Sequence, residues 1–169
     1  MPSFHLTPRT VSGVPAVVDW LRWGIAEETA DQCFFYDETR PLTLTERMPW
    51  KGDCSWWCKW IAWRSGWIVD PTGADWGTWG NSSSIFAHNK HVGRKSVRPG
   101  DIAVFGPGGD DHAAFVIKAD IVSVLCSSMG EQGDPALVTV DTLLTDRTFE
   151  GIVTYCRPNS AAKNPVFPK

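Results

Sequence analysis

The hydrophobic and polar positions change their period about halfway along the chain. Apolar residues in 14–29 recur about every 3.6 positions, and 54–64 (CSWWCKWIAWR) has the length and composition of a short helix. Later in the chain, short β-branched runs alternate with Gly, Pro and Asp. These predicted strands are 101–106, 112–118, 121–126, 136–141 and 151–156. A helical front followed by short consecutive strands predicts an α+β domain, with N-terminal helices packed on a mainly antiparallel sheet of about five strands.

The connecting segments are rich in residues that form turns. Residues 30–52 contain Pro and Gly without periodicity, and we predict a long loop there. Residues 67–99 also predict an irregular connection, with a helical turn around 83–88. We assign residues 1–156 to a single domain and 157–169, which contains three prolines, to an extended or disordered tail.

The composition argues against several classes of function. Basic side chains number 16 and acidic ones 19, interspersed along the chain, and the net charge of -3 gives no strong field for nucleic acid or an acidic membrane surface. No apolar run reaches the roughly 18 residues that a membrane span needs, and the N-terminus lacks the apolar stretch of a secretory signal. We therefore expect no nucleic-acid or membrane partner, and no export by the signal-peptide route.

The chain is unusually rich in tryptophan. All ten tryptophans lie in the segment that begins at Trp20 and ends at Trp79. Large rings can fill a core, and an indole with its N–H group can also line a binding groove. The sequence leaves both interpretations open.

Cys54 is the first candidate for a chemical role. At the first turn of the predicted helix it faces unpaired backbone N–H groups and the positive end of the helix dipole, which lower the pKa of a thiol. A buried, inert cysteine is the competing interpretation, because free Cys is among the most buried residue types. We expect Asp53 to cap the helix and Cys58 to pack beneath Cys54. Five cysteines cannot all pair, and we expect free thiols in a reducing cytosol.

A nucleophilic thiol needs a base from elsewhere in the chain. His5 lies near the N-terminus and His88 and His91 lie in a polar loop, whereas His112 opens a predicted strand after the turn GPGGDD. That position lets a side chain project over the sheet edge toward a helix N-terminus. The alternative is a zinc site that combines the two cysteines of 54–58 with the two loop histidines, although the long spacing between the pairs is unlike a compact zinc finger.

These residues resemble the motifs of the NlpC-type and CHAP-type peptidoglycan hydrolases. The motifs follow in order: 53–55 (DCS) before an aromatic-rich helix, then 98–105 (RPGDIAVF), then 112–116 (HAAFV). The likeness covers about residues 30–140. It implies a papain-like fold and a cysteine enzyme.

A closer likeness is to the form found in phages of actinobacteria. It is carried by 70–73 (DPTG) and by 127–135 (SSMGEQGDP). The third catalytic residue of the family, often a histidine that orients the imidazole, falls on Ser128 by this resemblance. A hydroxyl can accept the imidazole N–H, though more weakly than a charged or ring partner. Glu131 and Cys126 are the alternatives for this role.

The resemblance also implies roles for the other site residues. Cys54 would attack a peptide carbonyl and His112 would act as the base, without a metal or a cofactor. Candidates for binding substrate are Asp53, Ser55, Tyr36 and Trp57. Asp53 is better suited to capping than to proton transfer, because a carboxylate beside a thiolate raises the pKa of the thiol.

The function implied by the resemblance is hydrolysis of an amide bond in the peptide stems of bacterial peptidoglycan. The D-glutamyl–diaminopimelate bond is the first choice and the muramoyl–L-alanine amide the second. The resemblance further implies use by a phage for penetration or lysis of the host wall. The protein would then be made in the host cytoplasm, or belong to the virion tail with other tail proteins as partners. The rival is a structural or wall-binding virion protein with a papain-like shell and no activity.

Overall fold

The computed structural model describes residues 34–41, 50–64, 80–130, 135–145 and 149–158, which carry eight strands and three α-helices. The strands are β1 (Phe34–Tyr36), β2 (Trp50–Gly52), β3 (Lys90–Val92), β4 (Ile102–Phe105), β5 (His112–Ala119), β6 (Val124–Met129), β7 (Pro135–Thr139) and β8 (Val153–Arg157). The helices are α1 (Cys54–Arg64), α2 (Ser82–His88) and α3 (Val140–Leu144). No helix within these ranges has the length and apolar character needed to cross a membrane.

Six of the strands form one antiparallel sheet, and this confirms the predicted α+β class. The strand order is β3-β8-β4-β5-β6-β7. The sheet has one strand more than predicted. The additional strand is β3, which pairs with β8 and lies in the segment 67–99, predicted to be an irregular connection. The predicted loop 30–52 likewise contains β1 and β2, which form a separate parallel pair. Both differences concern three-residue strands, which are too short to show a period of two.

The predicted strand 121–126 is displaced toward the C-terminus, since β6 begins at Val124. The carboxylate of Asp120 accepts hydrogen bonds from the backbone N–H groups of Val122 and Ser123, and this local turn ends the preceding strand. Ile121 and Val122 therefore lie at the tip of the β5–β6 hairpin, where they are 99% and 85% exposed. The shift also brings Ser128 into the strand.

The predicted strand 136–141 ends at Thr139, where helix α3 begins. The hydroxyl of Thr139 accepts the backbone N–H of Thr142, as an N-cap does. The last strand includes Arg157, one residue into the segment predicted as a tail. The predicted helix 14–29 and the remainder of the tail from 159 onward lie outside the described residues.

Successive residues of the strands face two separate cores. Helices α1 and α2 pack on one face, in a first core cluster that includes Ile102, Val104 and Phe115. The other face carries a second core cluster, in which Phe105 and Val116 pack with residues of α3. The alternation follows from the two-residue period of a strand. The two clusters place helix α1 and helix α3 on opposite sides of the sheet.

The side chain of Asp101 links the start of strand β4 to the end of strand β8. Its carboxylate, 1% exposed, accepts two hydrogen bonds from the Arg157 guanidinium, at 2.8 and 2.9 Å, and one from the backbone N–H of Arg98. Gly100, which precedes it, has φ +95°, a left-handed conformation that favours glycine. Residues 98–101 (RPGD) thus have a structural role, because they form the turn that leads into strand β4.

We expect Asp101→Ala to destabilise the domain by about 2–4 kcal/mol, because it leaves a partly buried guanidinium and a backbone N–H without their acceptor. Urea unfolding measures this loss. Asp110→Ala is the matched control, since Asp110 is exposed in the turn before β5. Equal stability of the two variants would show that the Asp101 network contributes little.

Candidate active site

The first turn of helix α1 is held by Asp53, as predicted. One oxygen of the Asp53 carboxylate accepts the backbone N–H of Trp56 and the hydroxyl of Ser55, each at 2.8 Å. The other oxygen accepts a hydrogen bond from the guanidinium of Arg40, with which Asp53 forms an ion pair. Asp53 is therefore an N-cap with a partly buried cationic partner.

Gly52 allows the side chain of Trp56 to pack directly against the backbone that precedes helix α1. A Cβ atom at position 52 would lie 2.2 Å from Cγ of Trp56, which is closer than atoms can approach. The indole of Trp56 occupies the space that any side chain at position 52 would need. The Gly-Asp pair ahead of Cys54 thus has a packing role and a capping role.

Three tryptophans of helix α1 are core residues. Trp56, Trp57 and Trp60 are fully buried, and Trp57 and Trp60 stack with ring centroids 5.7 Å apart. The indole N–H of Trp57 donates to the hydroxyl of Ser127 on strand β6, at 3.0 Å. The core interpretation therefore holds for these three rings.

Cys54 is the first residue of α1, and its thiol lies against strand β5. Cys54 packs with Ala113 of β5 in the first core cluster, and the backbone N–H groups of Ala113 and Ser55 act to lower the pKa of its thiol. Cys54 is only 6% exposed. The nucleophile candidate is thus held directly beside the residue that follows His112.

The pKa of the Cys54 thiol is raised to about 12, contrary to the lowered value expected at a helix N-terminus. Burial is the main cause, and the negative charge of Asp53 is the next. The two backbone N–H groups act in the opposite direction and do not offset the burial. At neutral pH the sulfur is therefore a thiol in this conformation.

His112 and Ser128 are brought together by the pairing of β5 with β6. Ala114 is the partner of Ser128, and the imidazole reaches diagonally across the two strands. Nε2 of His112 lies 2.6 Å from Oγ of Ser128, and both residues are 7% exposed. The ring stacks on Phe149, with centroids 5.2 Å apart, and Phe105 lies on it at a tilt.

Tyr36 reaches the site from strand β1. The register of the parallel pair sets Tyr36 opposite Gly52, next to the start of α1. Its hydroxyl donates to the carboxylate of Glu38, at 2.9 Å. Burial raises the pKa of the phenol well above its ordinary value, and a negative charge on Cys54 acts in the same direction.

The four predicted substrate-binding residues separate into two groups. Ser55 and Trp57 are fully buried, Asp53 is 5% exposed, and their polar groups have partners within the protein. In this conformation they support the site and do not line it. Tyr36 is half-buried, and its contact with substrate stays a prediction.

The zinc alternative finds no support in the part of the chain that the structure describes. Cys58 is fully buried in the first core cluster beneath Cys54, as predicted, whereas His88 and His91 are exposed. The described residues contain no group of three or more side chains that could hold a metal ion. Of the two alternatives to Ser128, Glu131 lies outside the described residues, and Cys126 is fully buried in the second core cluster.

The comparisons with known proteins identify the family. The family model of the CHAP domain matches residues 44–129. The chain belongs to the CHAP domain family. The matched range of this CHAP domain includes Cys54, His112 and Ser128, whereas Tyr36 precedes it.

Two solved structures are similar to this CHAP domain. The peptidoglycan hydrolase RipB from Mycobacterium tuberculosis has 15% sequence identity and a TM-score of 0.45, and the match covers 75% of this chain and 60% of that one. The P60 domain of an antigen from M. avium subspecies paratuberculosis has 14% identity and a TM-score of 0.44, and the match covers 75% and 88% of the two chains. No curated protein matches the chain.

Two residues of the site are missed by the sequence interpretation. Arg40 pairs with Asp53 from a segment without periodicity, and Phe149 stacks on His112 from a turn after helix α3. Both contacts join residues that are distant in sequence, and no local pattern marks them. The catalytic roles of Cys54, His112 and Ser128 stay predictions.

The charge of Asp53 can be tested by its effect on the thiol. We expect Asp53→Asn to lower the pKa of Cys54, since it removes the second cause of the raised value while an asparagine can still cap the helix. Alkylation of Cys54 by iodoacetamide at pH 9 should be about threefold faster or more, because the thiolate is the reacting form. The labelled cysteine is identified by mass spectrometry.

Asp37→Asn is the control for this measurement, because Asp37 lies in the segment between β1 and Arg40 and is not a major cause of the Cys54 shift. Unchanged alkylation in Asp53→Asn would mean that burial alone sets the reactivity of the thiol.

The adjacent serines of β6 provide a matched pair of variants. Ser128→Ala removes one partner of the imidazole, and we expect it to change the tautomer equilibrium of His112, as measured by nitrogen-15 NMR of the ring. Ser127→Ala should leave that spectrum unchanged and lower the free energy of unfolding by about 1–3 kcal/mol, because the buried indole N–H of Trp57 loses its acceptor. A His112 spectrum unaffected by Ser128→Ala would exclude Ser128 as the orienting residue.

Proposed function

We propose that this CHAP domain hydrolyses amide bonds in the peptide stems of bacterial peptidoglycan, with Cys54 as the nucleophile. The observation that carries the proposal is the arrangement at the start of β5. There Cys54 packs with Ala113, and His112, the residue before Ala113 on the same strand, has its Nε2 2.6 Å from Oγ of Ser128. A cysteine at a helix start, a histidine on an adjacent strand and a third residue that orients the ring are the parts of a cysteine hydrolase. Membership of the CHAP family supports the same class of reaction.

The reaction begins with proton transfer from the Cys54 thiol to His112. The sulfur then attacks the carbonyl carbon of the amide, and backbone N–H groups at the start of α1 stabilise the oxyanion. The C–N bond breaks as His112 gives the proton to the leaving amine. A water molecule, deprotonated by His112, hydrolyses the thioester and releases the second peptide fragment. Cys54 and His112 return to their starting states.

The raised pKa of Cys54 makes the base essential in this scheme. With a thiol pKa of about 12, a free thiolate is scarce at neutral pH. The proton must therefore leave for an acceptor within the site, and an imidazole held by Ser128 supplies one.

The particular amide bond that is cut and the biological role of the protein are supported by the sequence motifs alone. The D-glutamyl–diaminopimelate bond is the first candidate and the muramoyl–L-alanine amide the second. Use by a phage for wall penetration or lysis, synthesis in a host cytoplasm and association with other tail proteins rest on the same resemblance. Peptidoglycan is the partner in each case.

A second candidate function is that of a wall-binding or structural virion protein without activity. The burial of the site favours it, because Cys54 and His112 are only 6% and 7% exposed. An enzyme with this structure needs a movement that admits the substrate carbonyl to the sulfur. A structural protein needs none.

A pair of cysteine variants separates the two functions. Purified intact peptidoglycan of a strain that contains diaminopimelate is incubated with wild type, Cys54→Ala and Cys58→Ala, and the released muropeptides are analysed by mass spectrometry. We expect Cys54→Ala to lose activity by about a thousandfold or more. Cys58→Ala should keep it, because Cys58 is a buried core residue one turn away on the same helix.

The new termini in the muropeptides identify the bond that is cut. Release by Cys54→Ala at the wild-type rate would exclude Cys54 as the nucleophile. Binding to the wall without release of fragments, by wild type and both variants alike, would favour the structural protein.

A further inference from the structure

A cavity of about 490 Å³ opens on the side of the sheet away from helix α1. It lies between strands β3 and β8 and helix α3. Aliphatic side chains form much of its wall, among them Val92, Val140, Leu144 and Val153. These residues belong to or pack against the second core cluster, whereas Cys54 belongs to the first. The cavity is therefore separate from the candidate active site.

The cavity is lined by a buried tyrosine whose hydroxyl has no hydrogen-bond partner among the described residues. Tyr155 lines it and is 6% exposed, yet its hydroxyl makes no hydrogen bond within the ranges that the structure describes. Buried polar groups in folded proteins nearly always have a hydrogen-bond partner, because leaving one unpaired is costly. A phenol without a protein partner at the wall of a cavity is available to pair with a bound ligand.

Two opposite charges line the cavity together with Tyr155. Arg94 and Asp141 both line the cavity, and both are exposed. Burial is the main cause of the raised pKa of Tyr155, while the cation lowers this pKa and the carboxylate raises it. The two side chains form no ion pair with each other.

Arg94 is held in position before any ligand arrives. Its guanidinium donates one hydrogen bond, of 2.8 Å, to the backbone carbonyl of Asp120 on the β5–β6 hairpin. The remaining N–H groups match the two oxygens of a carboxylate. Asp141, in the first turn of helix α3, provides the complementary acceptor for a cation.

We propose that this cavity binds the zwitterionic head group of an α-amino acid with a short aliphatic chain. Arg94 pairs with the carboxylate of the ligand and Asp141 with its ammonium group. The Tyr155 hydroxyl hydrogen-bonds to the same head group, and the aliphatic wall contacts the chain of the ligand.

The head group has two sources, a free amino acid and the end of a peptide side chain such as that of diaminopimelate. Both present an ammonium and a carboxylate on one carbon at the end of methylene groups. The inference does not depend on the proposed hydrolase activity, since it uses no residue of the candidate active site. Binding and wall hydrolysis can therefore succeed or fail independently.

The test is an NMR titration of the nitrogen-15-labelled full-length protein with norvaline in both enantiomers. Pentanoate and butylamine are the controls, because each keeps the aliphatic chain and one of the two charges. We expect saturable shifts at Arg94, Asp141 and Tyr155 with norvaline, at concentrations up to about 20 mM, and much weaker shifts with the two controls. A stem tripeptide that ends in diaminopimelate forms a second arm, and tighter binding of it than of norvaline would identify the peptide as the source.

Tyr155→Phe removes only the unpaired hydroxyl. We expect it to weaken binding by about fivefold, the effect of one hydrogen bond, without lowering the melting temperature of the ligand-free protein. A structural hydroxyl would give the reverse result, with lower stability and unchanged binding. Arg94→Gln should abolish the preference for norvaline over butylamine, and Asp141→Asn its preference over pentanoate.

Two results would overturn the proposal. One is the absence of saturable shifts at the cavity with either enantiomer of norvaline and with the tripeptide. The other is binding of pentanoate or butylamine as tight as that of norvaline, which would make the cavity a site for a single charge. Unchanged binding of norvaline by the Cys54→Ala variant would show that the cavity binds its ligand independently of the nucleophile.

Discussion

The packing of helix α1 against strands β5 and β6 is the contact on which the candidate site depends. Three fully buried indoles provide the apolar surface, and burial of each ring contributes roughly 3 kcal/mol or more before entropy is subtracted. The hydrogen bond between Trp57 and Ser127 fixes the position of the helix along the strand. Because the helix is fixed there, its first residue packs with Ala113 at the start of β5.

The same packing decides the state of the thiol. A helix N-terminus favours a thiolate, but burial and the carboxylate of Asp53 favour the protonated form, and the pKa of about 12 shows that they prevail. The cap that orders the first turn thus also makes the sulfur less acidic. Arg40 compensates the charge of Asp53 in part, since it forms an ion pair with that carboxylate. Asp53 therefore orders the start of the helix and at the same time raises the pKa of the thiol. The reactivity of Cys54 then depends on proton transfer within the site.

Particular elements show where sequence interpretation succeeds. Helix α1 occurs over the predicted range, because its aromatic run is bounded by an Asp cap. Strand β5 begins at His112 as predicted, since a glycine-rich turn directly precedes it. The hairpin after β5 differs, because a single Asp120 side chain binds two backbone N–H groups and delays the next strand. Contacts such as Arg40 with Asp53 and Phe149 with His112 have no local signature at all.

The sequence by itself determined the α+β class, the helix that begins at Cys54, the strand that begins at His112 and the family to which the motifs point. These features are local, since they depend on residue periodicity, caps and turns within a few positions. The tertiary structure alone decided that the thiol is buried and protonated, and that Trp57 and Ser55 are internal. It brought the hydroxyl of Ser128, to which the motifs had pointed, within 2.6 Å of the imidazole. It also decided that Arg94, Asp141 and Tyr155 meet around one cavity. Burial and hydrogen-bond partners depend on which distant segments pack together, and no local pattern encodes that choice.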